Sequence, residues 1–308
     1  MNVTAATRFS DLSASPIRPL SQTEVKSVLS DLKDWGKEHA AIATLLGEDG
    51  PLKDFVVAAL TLSPYLRDTA RVDPRLLARA LDEPILSTIE AAIARARKAW
   101  EPDGGDVSEA VLMTRLRVAK REVAFFTALA DLGRIFDARR TTALLTELAE
   151  ATTSAAIDHL LLSAHESGKL KLPDPARPSE KSGLIVLGMG KLGAAELNYS
   201  SDIDLVVFFD PMADVAVDPS EAVETFSRLV RRLIRIMQER TADGYVFRTD
   251  LRLRPDPGAT PLAISFDSAM LYYESRGQNW ERAAFIKAKP IAGDLKAGEA
   301  FLKELTPF

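Results

Sequence analysis

Residues 183–209 read GLIVLGMGKLGAAELNYSSDIDLVVFF, and this stretch decides the fold. Leu184–Gly188 is a short, β-branched and leucine-rich run, and residues 201–209 supply a second; runs of this length bounded by Gly, Asn and Ser predict strands. Between them lie about ten residues that include Gly190 and Gly193 and the turn-forming Asn198-Tyr199-Ser200-Ser201, room for a short helix at most. Downstream, residues 244–255 (GYVFRTDLRLRP) predict a third strand. Residues 220–240 predict a strong helix, with Asp218 as its N-cap, Pro219 in its first position and Glu221 three residues after the cap. Its apolar stripe is Phe226, Leu229, Leu233, Ile236 and Met237. Strand, short helix, strand, long helix, strand describes a compact module of mixed sheet and helices, and helical texture resumes from Asp267.

Upstream the texture changes. Ala, Leu, Arg and Glu dominate from Glu24 to Ser167, with breaks near Gly36, Gly47, Pro64, Pro74 and Pro84 and a loop at Glu101–Gly105. Leu112, Leu116, Ala119, Val123, Phe126 and Ala130 recur at spacings of three and four, which predicts one long amphipathic helix. A second is expected over about 141–163. Residues 168–182, rich in Pro, Lys and Gly, read as a linker. The expected organisation is a flexible leader (1–20), a helical domain (21–167), the linker, and a catalytic module (183–308) with a helical extension. The fold class is α+β.

The whole chain has 308 residues and a net charge of −5, which argues against a general nucleic-acid surface. It has no Cys, which excludes disulfides, thiolate nucleophiles and Cys-based zinc sites. No signal-peptide pattern or run of eighteen apolar residues is present, so the expectation is a cytoplasmic protein without membrane segments.

Gly188, Gly190 and Gly193 satisfy GxGxxG, but a dinucleotide crossover needs a full helix before the next strand, and there is none here. Lys191 is not a P-loop lysine either, because GxxxxGK[ST] is missing. Tight backbone packing and a phosphate-cradling turn both remain open for these glycines. Asp202 and Asp204 bracket Ile203 at the start of a strand, so period-two geometry puts both carboxylates on one face. Asp250 lies in the third predicted strand, which a hairpin or neighbouring pairing brings beside the first pair. Three convergent carboxylates suit a hard divalent cation such as Mg²⁺. Arg252 and Arg254 alternate with Asp250 and are expected on its face, where guanidinium groups receive phosphate oxygens. Between Arg228 and Arg254 there are eight arginines and three acids, a local excess that favours an anionic ligand.

The 183–209 string, followed by FRTDLRLRPDPGATPLAISFDSAMLYYESRGQNWERAAFIKAK (247–289), closely resembles the bifunctional glutamine synthetase adenylyltransferase/adenylyl-removing family. The resemblance is strongest over 183–290, weaker over Leu112–Leu161 and vague near the N-terminus. With its long helical stretch before GMGKLG, the chain resembles the adenylyl-removing half of such enzymes, as a fragment. The resemblance implies a nucleotidyltransferase-like fold and a phosphorolytic reaction. Adenylyl-tyrosine in glutamine synthetase plus inorganic phosphate would give ADP and unmodified tyrosine. It maps metal-binding, catalytic positions onto Asp202, Asp204 and Asp250, and the glycine turn onto Gly188, Gly190 and Gly193 beside Lys191. Glu196, Asn198, Ser200 and Ser201 fall in the same signature. The loop at 256–262 is less glycine-rich than the family pattern. The implied partners are adenylylated glutamine synthetase, phosphate and adenine nucleotide, with a PII-class regulator in the complete enzyme. Two alternatives stand beside this reading: adenylyl transfer from ATP to glutamine synthetase, and a nucleotide- or target-binding fragment without turnover. His39, His159 and His165 lie away from the motifs and are expected to serve packing or solvent exposure.

Overall fold

A computed structural model describes residue 4 and residues 6–12, 14–104 and 107–306. Residues 1–3, 5 and 13 of the expected leader lie outside the described residues, as do Gly105 of the expected loop and the last two residues of the chain. The fold is α+β, a helical region followed by a mixed sheet with flanking helices. Every element described between residues 21 and 167 is a helix: α1 (Gln22–Gly36), α2 (Ala40–Gly47), α3 (Pro51–Leu62), α4 (Pro64–Val72), α5 (Pro74–Asp82), α6 (Ile85–Arg97), α7 (Glu109–Leu132) and α8 (Ala138–Glu166). Contacts group the chain into two compact units, 1–94 with 119–144 and 95–118 with 145–308. The Pro-rich stretch 168–182 lies within the second unit.

In the first unit the prolines that punctuate the sequence start helices. Pro51, Pro64 and Pro74 each occupy the opening turn, where no intrahelical partner for the N–H is needed, and the side chains of Ser63 and Asp73 cap α4 and α5. Phe9 is buried and stacks on Phe55, with ring centroids 6.0 Å apart. The long stripe of α7 is buried at all six positions named from its spacing.

The second unit holds the sheet. Strand β1 (Leu184–Gly188) runs antiparallel to both β2 (Ile203–Phe209) and β5 (Lys289–Gly293). Strands β3 (Thr249–Asp250) and β4 (Ile264–Ser265) pair parallel with β2, β3 at its start and β4 at its end. Helix α9 (Gly190–Gly193) is a single turn between β1 and β2. Helix α10 (Ala222–Gln238) joins β2 to β3, and Asp218 caps the 3₁₀ turn Pro219–Glu221 that leads into it. After β4 come α11 (Phe266–Ser275), α12 (Asn279–Phe285) and α13 (Leu295–Leu305).

Both faces of the β1–β2 ladder are covered, which is why these strands read as unbroken apolar runs. On one face Ile185, Leu187, Val206 and Phe208 pack with Ile264, Tyr273 and Phe301. On the other, Phe209 stacks on Phe226 of α10 at 4.7 Å. All five residues of the α10 stripe are buried.

Two features depart from the sequence reading. The third strand is far shorter than 244–255: it ends at Asp250, because the Arg252 amide donates back to the Asp250 carboxylate at 2.8 Å and closes a turn. The tail is not purely helical either, since Lys289–Gly293 forms β5 on the sheet edge, where the missing N–H of Pro290 is tolerated.

Candidate active site

The face of β2 that carries Val206 and Phe208 into the core continues, two residues at a time, to Asp204 and Asp202. Ile203 and Leu205 are buried on the opposite side, as alternation requires. Parallel pairing sets Asp204 directly opposite Asp250, in the register Ile203↔Thr249 and Asp204↔Asp250. The Ile203 amide donates to the Arg248 carbonyl at 2.9 Å and fixes this register at the end of the ladder. The structure therefore brings Asp202, Asp204 and Asp250 to one end of one sheet face.

Their charges are balanced unequally. Arg248 Nε donates to Asp202 at 2.5 Å, and its Nη2 donates to the Ser200 carbonyl at 2.8 Å. Arg252 Nε and Nη2 donate to Asp250 Oδ2 at 2.8 and 2.5 Å, and hydrogen bonding to Arg252 pulls the Asp250 carboxyl below its usual range. Asp204 has no ion-pair partner among the described residues. Its carboxyl lies above the usual range, first because it is partly buried and then because Asp250 and Asp202 repel it; Arg252 and Lys191 offset this only in part.

No group of three acidic, His or Cys side chains among the described residues is arranged to hold a metal ion. Two of the three carboxylates, Asp202 and Asp250, are paired with arginines. In donor chemistry the set still fits a hard cation, because all three groups are carboxylates and the central one lacks a counter-ion.

The glycines divide by position. Gly190 has φ +55° and turns the chain out of β1, and a Cβ placed there would lie 3.4 Å from Asp204 Oδ2. A Cβ on Gly193 would fall 1.7 Å from the Lys287 carbonyl oxygen, so close backbone approach requires this glycine. A Cβ on Gly188 would meet Leu192 at 2.9 Å. Lys191 acts on Asp204 through space. Ser201 donates to Asn198 Oδ1 at 2.7 Å, and Glu196 pairs with Lys287 at 2.9 Å.

Arg254 is not aligned with Asp250 on a continuing strand. Its guanidinium donates to the carbonyls of Leu251 and Pro257 and closes the loop that follows β3. Glu281 accepts from the Gln278 amide at 2.7 Å and caps α12, while Trp280 is half exposed and Phe285 packs edge-on to Tyr273.

The sequence reading passed over Arg248 as a site residue, although it lies two before Asp250 and therefore projects to the same side of an extended chain. Lys289 pairs with Glu150 at 2.6 Å.

Fold and site together define an α+β module with a carboxylate cluster beside arginines and a glycine turn. Comparison with known proteins places it further. Residues 54–304 match the glutamate-ammonia ligase adenylyltransferase family model, and the chain belongs to that family. Bifunctional glutamine synthetase adenylyltransferase/adenylyl-removing enzymes are similar to it over nearly its whole length. The Agrobacterium fabrum protein is 63% identical over 99% of this chain, the Rhizobium meliloti protein 64% over 97%, and the Brucella suis protein 50% over 97%. The chain spans about a third of the length of these relatives, 31%, 31% and 30% respectively. No described helix is long and apolar enough to cross a membrane.

Proposed function

We propose that the chain removes AMP from an adenylylated tyrosine of glutamine synthetase by phosphorolysis, giving ADP and the unmodified tyrosine. The observation that carries this reading is the Asp204↔Asp250 register, which sets a carboxylate without an ion pair of its own beside two carboxylate–arginine pairs. Such an arrangement suits a reaction between two anions, here phosphate and an adenylyl phosphodiester, whose approach needs charge compensation.

Asp202, Asp204 and Asp250 would hold Mg²⁺, which when bound supplies positive charge to the phosphoryl oxygens. Lys191 and Arg252 orient the incoming phosphate and the α-phosphate. A hydrogen phosphate oxygen forms the new bond to the α-phosphorus, the bond from phosphorus to the tyrosyl oxygen breaks, and that oxygen takes up the proton released by the attacking phosphate. No histidine is required as a base, because phosphate already carries nucleophilic oxygens. Ser200 and Ser201, in the turn that precedes Asp202, would support the bound phosphates, and Arg254 acts by fixing the loop after β3.

The adenylyltransferase activity in the relatives' name keeps the opposite direction, AMP transfer from ATP, as the second reading. Regulation by a PII-class protein belongs to the proposal for the complete enzyme. The test supplies adenylylated glutamine synthetase, Mg²⁺ and isotopically labelled phosphate. Label in ADP supports phosphorolysis, whereas AMP carrying oxygen from water would replace it with hydrolysis. Incorporation of AMP from ATP without any ADP release from the modified target would favour transfer. If none of these products forms while the fold and nucleotide binding persist, the chain is a binding fragment.

A further inference from the structure

Arg248 faces two ways. One side of its guanidinium holds Asp202, and the residue also lines a cleft of about 530 Å³ along α10. Arg231, Arg235, Arg240 and Tyr245 line the same cleft, and Glu239 is its one acidic lining residue. The cleft is large enough for a phosphate group with part of what carries it.

Arg231 pairs with Glu224 at 2.7 Å, Arg235 pairs with the mostly buried Glu109, and Arg240 lies over the Tyr245 ring at 5.5 Å. Side-chain exposures of 52% and 55% for Arg231 and Arg248 mean that their ion pairs contribute little and are readily exchanged. A guanidinium has five N–H donors, and each of these pairs uses only some of them. With Glu224, Glu109, Glu239 and Asp202 all counted, the cleft is close to neutral in this state. Its balance changes if Asp202 is withdrawn, because Arg248 then loses its carboxylate and its Nε is released, while Nη2 still holds the Ser200 carbonyl.

We propose that this cleft is a phosphate-binding subsite completed by Arg248 when Asp202 is taken up by a divalent cation. The inference rests on the reading of Asp202, Asp204 and Asp250 as cation ligands. It makes Arg248 a positioning residue that couples the two sites: cation binding and phosphate binding each raise the affinity of the other by the same factor.

The test uses Mn²⁺, followed by the EPR signal of the free ion, with inorganic phosphate and ADP titrated separately by calorimetry. In the unaltered chain Mn²⁺ should tighten phosphate binding. Arg248→Gln removes the resting counter-ion of Asp202, so Mn²⁺ alone should bind roughly two- to fivefold tighter. Phosphate binding in the presence of Mn²⁺ should weaken in the same variant. Opposite shifts are the signature, because general damage to the fold would weaken both. Arg240→Gln should weaken phosphate binding and leave Mn²⁺ affinity unchanged. If ADP shows this pattern and phosphate does not, the group bound is the phosphate of a nucleotide. Arg248→Gln weakening Mn²⁺ binding, or moving neither ligand, overturns the proposal, as does an Arg240→Gln variant with unaltered affinity for both phosphate and ADP. If Asp202→Asn leaves Mn²⁺ affinity unchanged, the carboxylate reading itself fails and the subsite falls with it. If Asp202→Asn weakens Mn²⁺ binding but the coupling is missing, only the subsite is wrong.

Discussion

Replacing Gly193 by Ala tests whether the third glycine of the GxGxxG string is there for packing. The added Cβ would lie 1.7 Å from the Lys287 carbonyl oxygen and 2.5 Å from the Gly188 carbonyl oxygen. Both obstacles are backbone, so no side-chain rotation relieves them. Ordinary contact begins near 3.4 Å, which leaves the Lys287 carbonyl about 1.7 Å short and forces the segment entering β5 to move. Overpacking of this kind costs about 1–3 kcal/mol, and two backbone obstacles put the substitution at the upper end. Against this, Ala restricts the unfolded chain and favours the α9 turn, gains of about 1 kcal/mol. The clash wins, and the net loss should be about 2 kcal/mol. For a cooperative unit of this size that corresponds to a melting shift of roughly 4–8 °C. Thermal and urea unfolding of Gly193→Ala should be compared with Gly258→Ala, where the nearest atom to the new Cβ is 3.9 Å away and little change is expected. Melting of Gly193→Ala within a degree of the parent would show that the α9–Lys287 approach is not as tight as described.

Three further substitutions probe other parts of the second unit. Asp204→Asn should stabilise the fold at neutral pH and abolish the proposed phosphorolysis. The raised carboxyl of Asp204 leaves stability unaffected below its unfolded value and lowers it as pH rises through the folded one, so the advantage of Asn should grow from acid to neutral in a urea series; a flat or reversed difference refutes the electrostatic account. Arg117 is fully buried and donates to the carbonyls of Met113, Glu239 and Gly244, which ties α7 to the turn leading to β3. Arg117→Met leaves carbonyls unpaired and should cost about 2–4 kcal/mol in urea unfolding, less than the sum of charge-assisted bonds because burial of the cation is relieved; a loss below about 1 kcal/mol would mean water replaces the guanidinium. Phe208→Ala empties a site packed on Phe301 at 4.6 Å and should cost about 3–5 kcal/mol, and a loss under about 1 kcal/mol would show that the sheet face can collapse around it.

The parts of the fold set by local chemistry were legible. Asp218 caps the turn leading into α10 because its side-chain oxygen reaches the amide two residues on, and the α10 stripe follows from a 3.6-residue period. The end of β3 was also locally encoded, in Asp250 accepting from the Arg252 amide, but alternation of Leu and Arg over 251–254 imitates a strand. Edge strand β5 carries Lys, Pro and Gly and lacks an apolar period. It exists because β1 offers an unpaired edge, and that edge is invisible in residues 289–293 themselves.

The candidate site shows the same division at the level of single charges. That Asp202 and Asp204 share a face is a property of one strand. That Asp204 faces Asp250 depends on which edge of β2 the chain returns to after α10, and a parallel partner was one of two arrangements the sequence permitted. The arginines add a further step. Composition shows their excess between 228 and 254, yet only the register reveals that Arg248 and Arg252 flank the cluster while Arg254 is turned into a loop. Hence the central carboxylate is the one left without a cation. A carboxylate penalised by burial and by two like charges is unfavourable for the fold alone, and a cation bound as proposed would relieve that same penalty.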